Sequence, residues 1–165
     1  KEAANLVIDS SSLSIHDLKR TLKNFVDNLS PDLKRAVRVN FLSFGFKYGI
    51  PSDCDLVIDV RFLPNPYFIE ELREKSGLEP EVKRYVLESG ISKAFIDKYS
   101  ELLNFLLPQY IFEGKSYLNV GIGCTGGKHR SVAIAEELRN RVKQTNVLLS
   151  VSHRELTRYT AAPSD

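Results

Sequence analysis

The stretch Gly121-Ile-Gly-Cys-Thr-Gly-Gly-Lys-His-Arg-Ser131 gathers the groups that bind phosphate. Gly126 and Gly127 let backbone amides approach a ligand closely. Lys128, His129 and Arg130 add charge and donors, and Thr125 and Ser131 add hydroxyls. The stretch lies where a predicted strand, residues 117–122, gives way to a predicted helix, residues 128–144. A helix start offers unpaired N–H groups and the positive end of its dipole. Basic residues there oppose that dipole, a cost that a bound anion offsets, and phosphate is the commonest biological anion. The stretch therefore reads as an anion-binding loop for the phosphate of a small metabolite.

Other loop chemistries fit less well. A Walker A loop needs glycine, four residues and then Gly-Lys-Ser/Thr. Counting back from Gly127-Lys128 puts Ile122 at the first glycine and His129 at the hydroxyl. Gly121, Gly123 and Gly126 match the letters of a dinucleotide fingerprint, but the basic helix start does not suit a pyrophosphate turn. The sharper rival is Cys124 and Arg130, a Cys-x5-Arg spacing followed by Ser131. It resembles the loop of cysteine-dependent phosphatases, in which a thiolate attacks phosphorus and the arginine holds the phosphoryl oxygens. Helix N-termini and neighbouring cations favour thiolates in general, and Asp59 is the candidate general acid. Gly123 stands where many such enzymes have histidine. The other role open to Cys124 is that of a small buried residue ending a strand. The expectation is a binding protein rather than an enzyme, with the phosphatase as the alternative.

Composition narrows the field. The chain has 165 residues, 42% of them hydrophobic, which suits one folded domain. A formal net charge of +2 does not by itself argue for nucleic acid. Cys54 and Cys124 are too few for a disulfide framework or a four-cysteine zinc site. No metal and no cofactor are expected, and a reducing cytoplasm fits this cysteine usage. No apolar run approaches the roughly 20 residues of a membrane span. The chain opens on Lys1 and contains no methionine, so it is expected to be a piece of a longer protein.

The elements that must position the loop follow from periodicity. Residues 5–9 read as a short strand. Ser14, Asp17 and the staple Leu13/Leu18 announce a helix carrying Ile15, Leu18, Leu22, Phe25, Val26 and Leu29, stopped by Ser30-Pro31-Asp32. Residues 37–46 and 56–60 read as strands, the first apolar on both faces and so covered on both. Residues 68–79 read as irregular loop. A short helix over 80–89 ends at Gly90, and a longer one over 92–110 turns Phe95, Tyr99, Leu102, Leu103 and Leu106 inward, with Pro108 kinking or ending it. The helix over 128–144 buries Val132, Ala135, Leu138 and Val142. A last strand covers 146–151, and Ser152 is placed to cap a terminal helix. Strands alternating with helices predict an α/β fold with a mainly parallel sheet flanked by helices.

Three separated stretches carry a resemblance. Phe44-Gly-Phe-Lys-Tyr-Gly-Ile-Pro51, Asp59-Val-Arg-Phe-Leu-Pro-Asn-Pro66 and Gly123-Cys-Thr-Gly-Gly-Lys-His-Arg-Ser131, in that order, look like the C-terminal domain of the RapZ/YvcJ family of RNase-adapter and nucleotide-binding proteins. The similarity spans about residues 36–154. It implies that residues 1–35 are the remnant of an N-terminal kinase-like domain and that 36–165 form the ligand-binding domain. That domain's Walker A loop is not in this sequence, so ATP or GTP binding is not carried over. The resemblance implies a regulator of amino-sugar metabolism that senses glucosamine-6-phosphate or UDP-N-acetylglucosamine. In some members it also implies small-RNA binding. By motif match, Thr125, Gly126, Gly127, Lys128, His129, Arg130 and Ser131 hold the phosphate, with Lys47, Tyr48, Gly49, Asp59 and Arg61 near the same site. Ligands of parallel sheets bind beyond the carboxyl ends of the strands, where all three stretches lie. Some relatives have histidine at Tyr48. Tyrosine stacks on bases and sugars, which tilts the reading toward a nucleotide sugar. An RNA or protein partner and a homo-oligomer are further expectations for the full-length protein.

Arg154 and Arg158 are the RNA-facing candidates. From Lys128 to Arg158 seven lysines and arginines face three acids, and the tail beyond carries no lysine. RNA affinity grows with the number of phosphates neutralised. This chain is therefore expected to bind RNA weakly or not at all; a tight, salt-sensitive shift in an electrophoretic mobility assay would contradict that.

Overall fold

The computed structural model describes residues 7–11, 13–29, 36–144 and 146–156. The chain divides into two compact units, residues 1–36 and 37–165.

The first unit is built on α1 (Ile15–Leu29). Ser14 caps it as its spacing predicts: the Asp17 amide donates to Ser14 Oγ at 3.1 Å, and that hydroxyl donates to Asp17 Oδ2 at 2.6 Å. The strand expected over 5–9 is not seen at residues 7–10, and residues 5 and 6 lie outside the described residues, as do Ser30, Pro31 and Asp32.

The second unit holds β1 (Val37–Gly45), β2 (Leu56–Asp59), β3 (Tyr117–Cys124) and β4 (Val147–His153) in one sheet, ordered β2-β3-β1-β4. Every neighbouring pair is parallel, so the predicted α/β architecture is the observed one. Parallel pairing sends all four carboxyl ends to one edge. The core lies on the face carrying Val39, Phe41, Leu118, Val120 and Ile122, all fully buried. It is covered by α5 (Arg130–Arg141), against which α3 (Pro80–Leu87) and α4 (Gly90–Phe112) pack. Val132, Ala135, Leu138 and Val142 face inward as predicted. β1 is not covered evenly. Its other face carries exposed Arg38 and half-buried Asn40, and both faces close over only from Ser43 to Gly45.

Several sequence readings are corrected by the structure. Gly90 begins α4 instead of ending a helix, because Ser89 accepts the Ser92 amide as its cap. α4 runs on through Pro108 to Phe112 instead of ending there. Proline cannot donate to the carbonyl four residues back, and Gln144 Nε2 instead supplies a donor to Asn104 O at 2.9 Å. The buried row of α4 is Ile96, Ser100, Leu103 and Leu107, leaving Leu102 exposed. Residues 68–79 are not structureless: a 3-10 turn (Pro66–Phe68) and α2 (Glu70–Arg73) occupy them in part. Ser152 belongs to β4, not to a helix cap, and shares a hydrogen-bonded set with Asn40.

The end of β1 lies directly beneath the loop that follows β3. A Cβ at Gly45 would meet Gly126 C at 2.6 Å and Gly127 N at 2.8 Å, both backbone atoms that cannot swing aside. Gly45→Ala is expected to lower stability by about 1–3 kcal/mol, read as a lower urea midpoint with an unchanged slope.

Candidate functional site

The loop after β3 holds itself away from helical geometry for longer than its sequence suggests. Gly127 has φ 72°, where glycine is favoured, and His129 sits at φ −113°, ψ −83°. Helix α5 therefore starts at Arg130, two residues later than predicted, and Lys128 and His129 stay in the loop. A carboxylate missed in the sequence braces the turn. Glu155 is fully buried; its Oε2 accepts the Gly45 amide at 2.9 Å, and its Oε1 accepts Arg154 Nε at 2.7 Å. Arg154 Nη2 reaches Gly45 O and Gly49 O. A Cβ at Gly127 would collide with that same Glu155 carboxylate.

Cys124 ends β3 at the bottom of the loop. Its Sγ accepts the Gly127 amide at 3.3 Å and lies 3.1 Å from Ser131 Oγ. Arg130 is 5% exposed. Its Nη1 donates to Arg61 O and Leu63 O, and its Nη2 donates to Thr125 Oγ1 at 3.3 Å. Its Nε is buried with no hydrogen-bond partner. Burial lowers the Arg130 pKa from the ordinary arginine value, against the pull of nearby Cys124 and Asp59.

A pocket of about 400 Å³ opens on this loop. Cys124, Thr125, Gly126, Lys128, His129 and Arg130 line one side; Asn65, Tyr67, Arg73 and Glu74 line the other. Of the second wall, Arg73 and Glu74 lie in the stretch read as irregular loop, Tyr67 just before it, and Asn65 within the Asp59–Pro66 stretch that carries the resemblance. This wall is tied to the first by Gly77 N donating to Lys128 O at 2.8 Å and by Lys128 Nζ, 3.3 Å from Glu74 Oε2. His129 Nε2 sits 3.0 Å from Arg73 O. A carbonyl only accepts, so Nε2 carries the proton.

Not every predicted residue lines this pocket. Gly127 and Ser131 lie behind Cys124, contacting its sulfur. Lys47, Tyr48 and Gly49 form a turn held to the loop by Lys47 N donating to Thr125 O at 3.1 Å, yet they do not line the pocket. Asp59 and Arg61 pair with each other, with Arg61 Nη2 2.7 Å from Asp59 Oδ2, and the guanidinium lies 4.4 Å from the Phe46 ring centroid. Hydrogen bonds from Arg61 hold the Asp59 carboxyl below its ordinary pKa. Ionised at neutral pH, Asp59 has no proton to give as a general acid. Of the two RNA-facing candidates, Arg154 donates through Nε to Glu155 and through Nη2 to Gly45 O and Gly49 O, and Arg158 lies outside the described residues. Among the described residues no cluster of three or more His, Cys, Asp or Glu could hold a metal ion, and no helix is long and apolar enough to cross a membrane.

Residues 37–157 match the model of the RapZ C-terminal domain. A nucleotide-binding protein of Nitratidesulfovibrio vulgaris is 49% identical over 156 residues, covering 94% of this chain and 53% of that protein. One of Geotalea daltonii is 51% identical over 153 residues, covering 93% and 53%. The chain thus spans about half the length of these curated relatives.

Burial pushes the His129 pKa below the ordinary 6.5, with Lys128 and Arg130 adding to the shift against the bond to Arg73 O. A base whose folded pKa is depressed contributes stability that is present above its unfolded pKa and lost as pH falls through the folded value. The His129 ring, followed by NMR, is expected to titrate below 6.5, with stability falling over the same acid range. A midpoint above 6.5 would contradict the buried, neutral ring.

Proposed function

The chain belongs to the family of RapZ C-terminal domains, and from that premise we propose that its loop binds the phosphate of a phosphorylated amino sugar or a UDP-amino sugar, such as glucosamine-6-phosphate or UDP-N-acetylglucosamine. On this reading the domain is a regulatory sensor, not an enzyme of amino-sugar metabolism. The observation that carries it is the buried Arg130 Nε without a partner. Two neutral carbonyls hold Nη1, so the guanidinium is fixed while its Nε edge stays unsatisfied. An unsatisfied buried charged donor is costly, and a phosphate oxygen satisfies it in the paired geometry that arginine favours.

The remaining roles follow from position. Thr125, Gly126, Lys128 and His129 line the pocket and add a hydroxyl, an amide, an ammonium and a ring. Gly127 and Ser131 hold the loop from behind through Cys124. Lys47 N donates to Thr125 O and Arg61 O accepts from Arg130 Nη1, so the Lys47-Tyr48-Gly49 turn and the Asp59–Arg61 pair adjoin the loop. The relatives' designation as nucleotide-binding proteins supports a nucleotide-containing ligand. Small RNA and a protein partner belong to the same proposal for the longer protein.

A second reading draws on one observation. Donors from Gly127 and Ser131 converge on Cys124 Sγ, as they would on a nucleophilic thiolate. The ionised Asp59 weighs against it, since ordinary phosphate monoesters need a protonated leaving group. Turnover of p-nitrophenyl phosphate, abolished in Cys124→Ser, would favour this reading.

Thermal melting tests the leading one with UDP-N-acetylglucosamine, glucosamine-6-phosphate, inorganic phosphate and buffer. A ligand at a hundredfold its Kd stabilises by about 2.7 kcal/mol, or roughly 5–10 °C at this chain length. The expected result is a shift selective for one sugar compound, lost in Arg130→Ala and reduced in Lys128→Ala, whose more exposed side chain guards against a loss caused by misfolding. No shift with any sugar compound would overturn the sensor reading.

A further inference from the structure

The two thiols of the chain sit in opposite surroundings. Cys54 is half-buried, and burial together with the adjacent Asp53 and Asp55 carboxylates pushes its thiol up from the ordinary value. Cys124 Sγ meets donors instead. The Gly127 amide donates to it at 3.3 Å, and the Ser131 hydroxyl, free to turn its proton, lies 3.1 Å away. The guanidiniums of Arg130 and Arg61 are both within electrostatic reach of the sulfur. Surroundings of this kind stabilise negative charge on sulfur. Cys124 is only 3% exposed, yet it lines the pocket of about 400 Å³, which has room for a molecule as small as a peroxide. The same pocket is lined by Arg130, itself 5% exposed, whose buried Nε has no hydrogen-bond partner.

We propose that Cys124 is a site of oxidation by small peroxides, and that the oxidised thiol and a bound anion exclude one another. The sulfur attacks one peroxide oxygen. An S–O bond forms and the O–O bond breaks. Sulfur is oxidised to the sulfenic acid and the peroxide is reduced, its other oxygen leaving as water once it takes up the thiol proton. The oxygen added to Sγ enters the space beside Arg130 that a phosphate oxygen needs, and it competes for the same donors. Oxidation therefore empties the site, and a bound anion shields the sulfur. The thiol chemistry stands on the surroundings of Cys124; the mutual exclusion rests on the anion-site reading above.

The test exposes the chain to hydrogen peroxide, traps sulfenic acid with dimedone and reads each thiol by peptide mass spectrometry. Cys124 should be labelled about tenfold faster than Cys54, given their contrasting surroundings. Arg130→Gln should slow Cys124 about tenfold, and Ser131→Ala, which removes one neutral donor, about threefold. Cys54 reports folding in the same digest: if Arg130→Gln unfolds, both thiols label alike and Ser131→Ala carries the comparison. Inorganic phosphate should slow Cys124 and leave Cys54 unchanged. Equal rates for the two thiols in the unchanged chain, or a Cys124 rate unaltered in the folded variants, would overturn the oxidation site. Phosphate that binds in calorimetry without protecting Cys124 would overturn the exclusion. Absence of phosphate binding, with Cys124 still labelled first, would overturn the anion reading and the exclusion with it, and support the oxidation site alone.

Discussion

The candidate site turns on a guanidinium taken out of water without a carboxylate hydrogen-bonded to it. Among the described residues, the bonds Arg130 makes go to the neutral oxygens of Arg61, Leu63 and Thr125. Carbonyl dipoles hold a buried cation in place but compensate its lost hydration only in part. The nearest ionised carboxylate, that of Asp59, is engaged by Arg61. The loop thus presents a cation that is rigid, desolvated and incompletely satisfied. In general, a cation held this way needs little reorganisation to accept an anion.

That rigidity is supplied from beyond the loop. Four parallel strands end at one edge, and the brace of Arg154 and Glu155 ties three of those ends together. It joins the residues after β4 to Gly45 at the end of β1 and packs its carboxylate against Gly127 after β3. The buried carboxylate is tolerable because an amide and a guanidinium both donate to it. The other strand end is held by Val60 N donating to Gly123 O. Glycines at 45, 123 and 127 make these approaches close enough; at Gly123 a Cβ would strike the rings of Phe44 and Phe46.

What the sequence revealed and what it concealed divide along locality. The loop after β3 was legible as a candidate anion site because its glycines, hydroxyls and cations are contiguous and lie between two strongly patterned elements. The strand and helix content of the sheet domain was legible for the same reason, as was the Ser14 cap. The misreadings arose where a partner far along the chain decides the outcome. Gln144 answers the carbonyl that Pro108 leaves unpaired, so α4 continues through it. Glu155 reads as an ordinary surface acid until its partner at Gly45 is known. Arg73 and Glu74 on the opposite wall belong to no period or motif and meet the loop through Lys128 and His129.

The strand order has a kinetic consequence. β1 pairs with β4 in register from Val37↔Val147 to Ser43↔His153, so the first strand of the sheet waits for the last. Contacts of such long sequence separation, in parallel pairing, form slowly because loop closure must precede them. Glu155 lies two residues beyond β4, so its bond to Gly45 spans a similar length of chain. A chain still emerging from the ribosome, or one cut before β4, would carry every residue of the loop and yet lack the brace that shapes it. The geometry of the loop is in this way a property of the assembled sheet rather than of the motif alone.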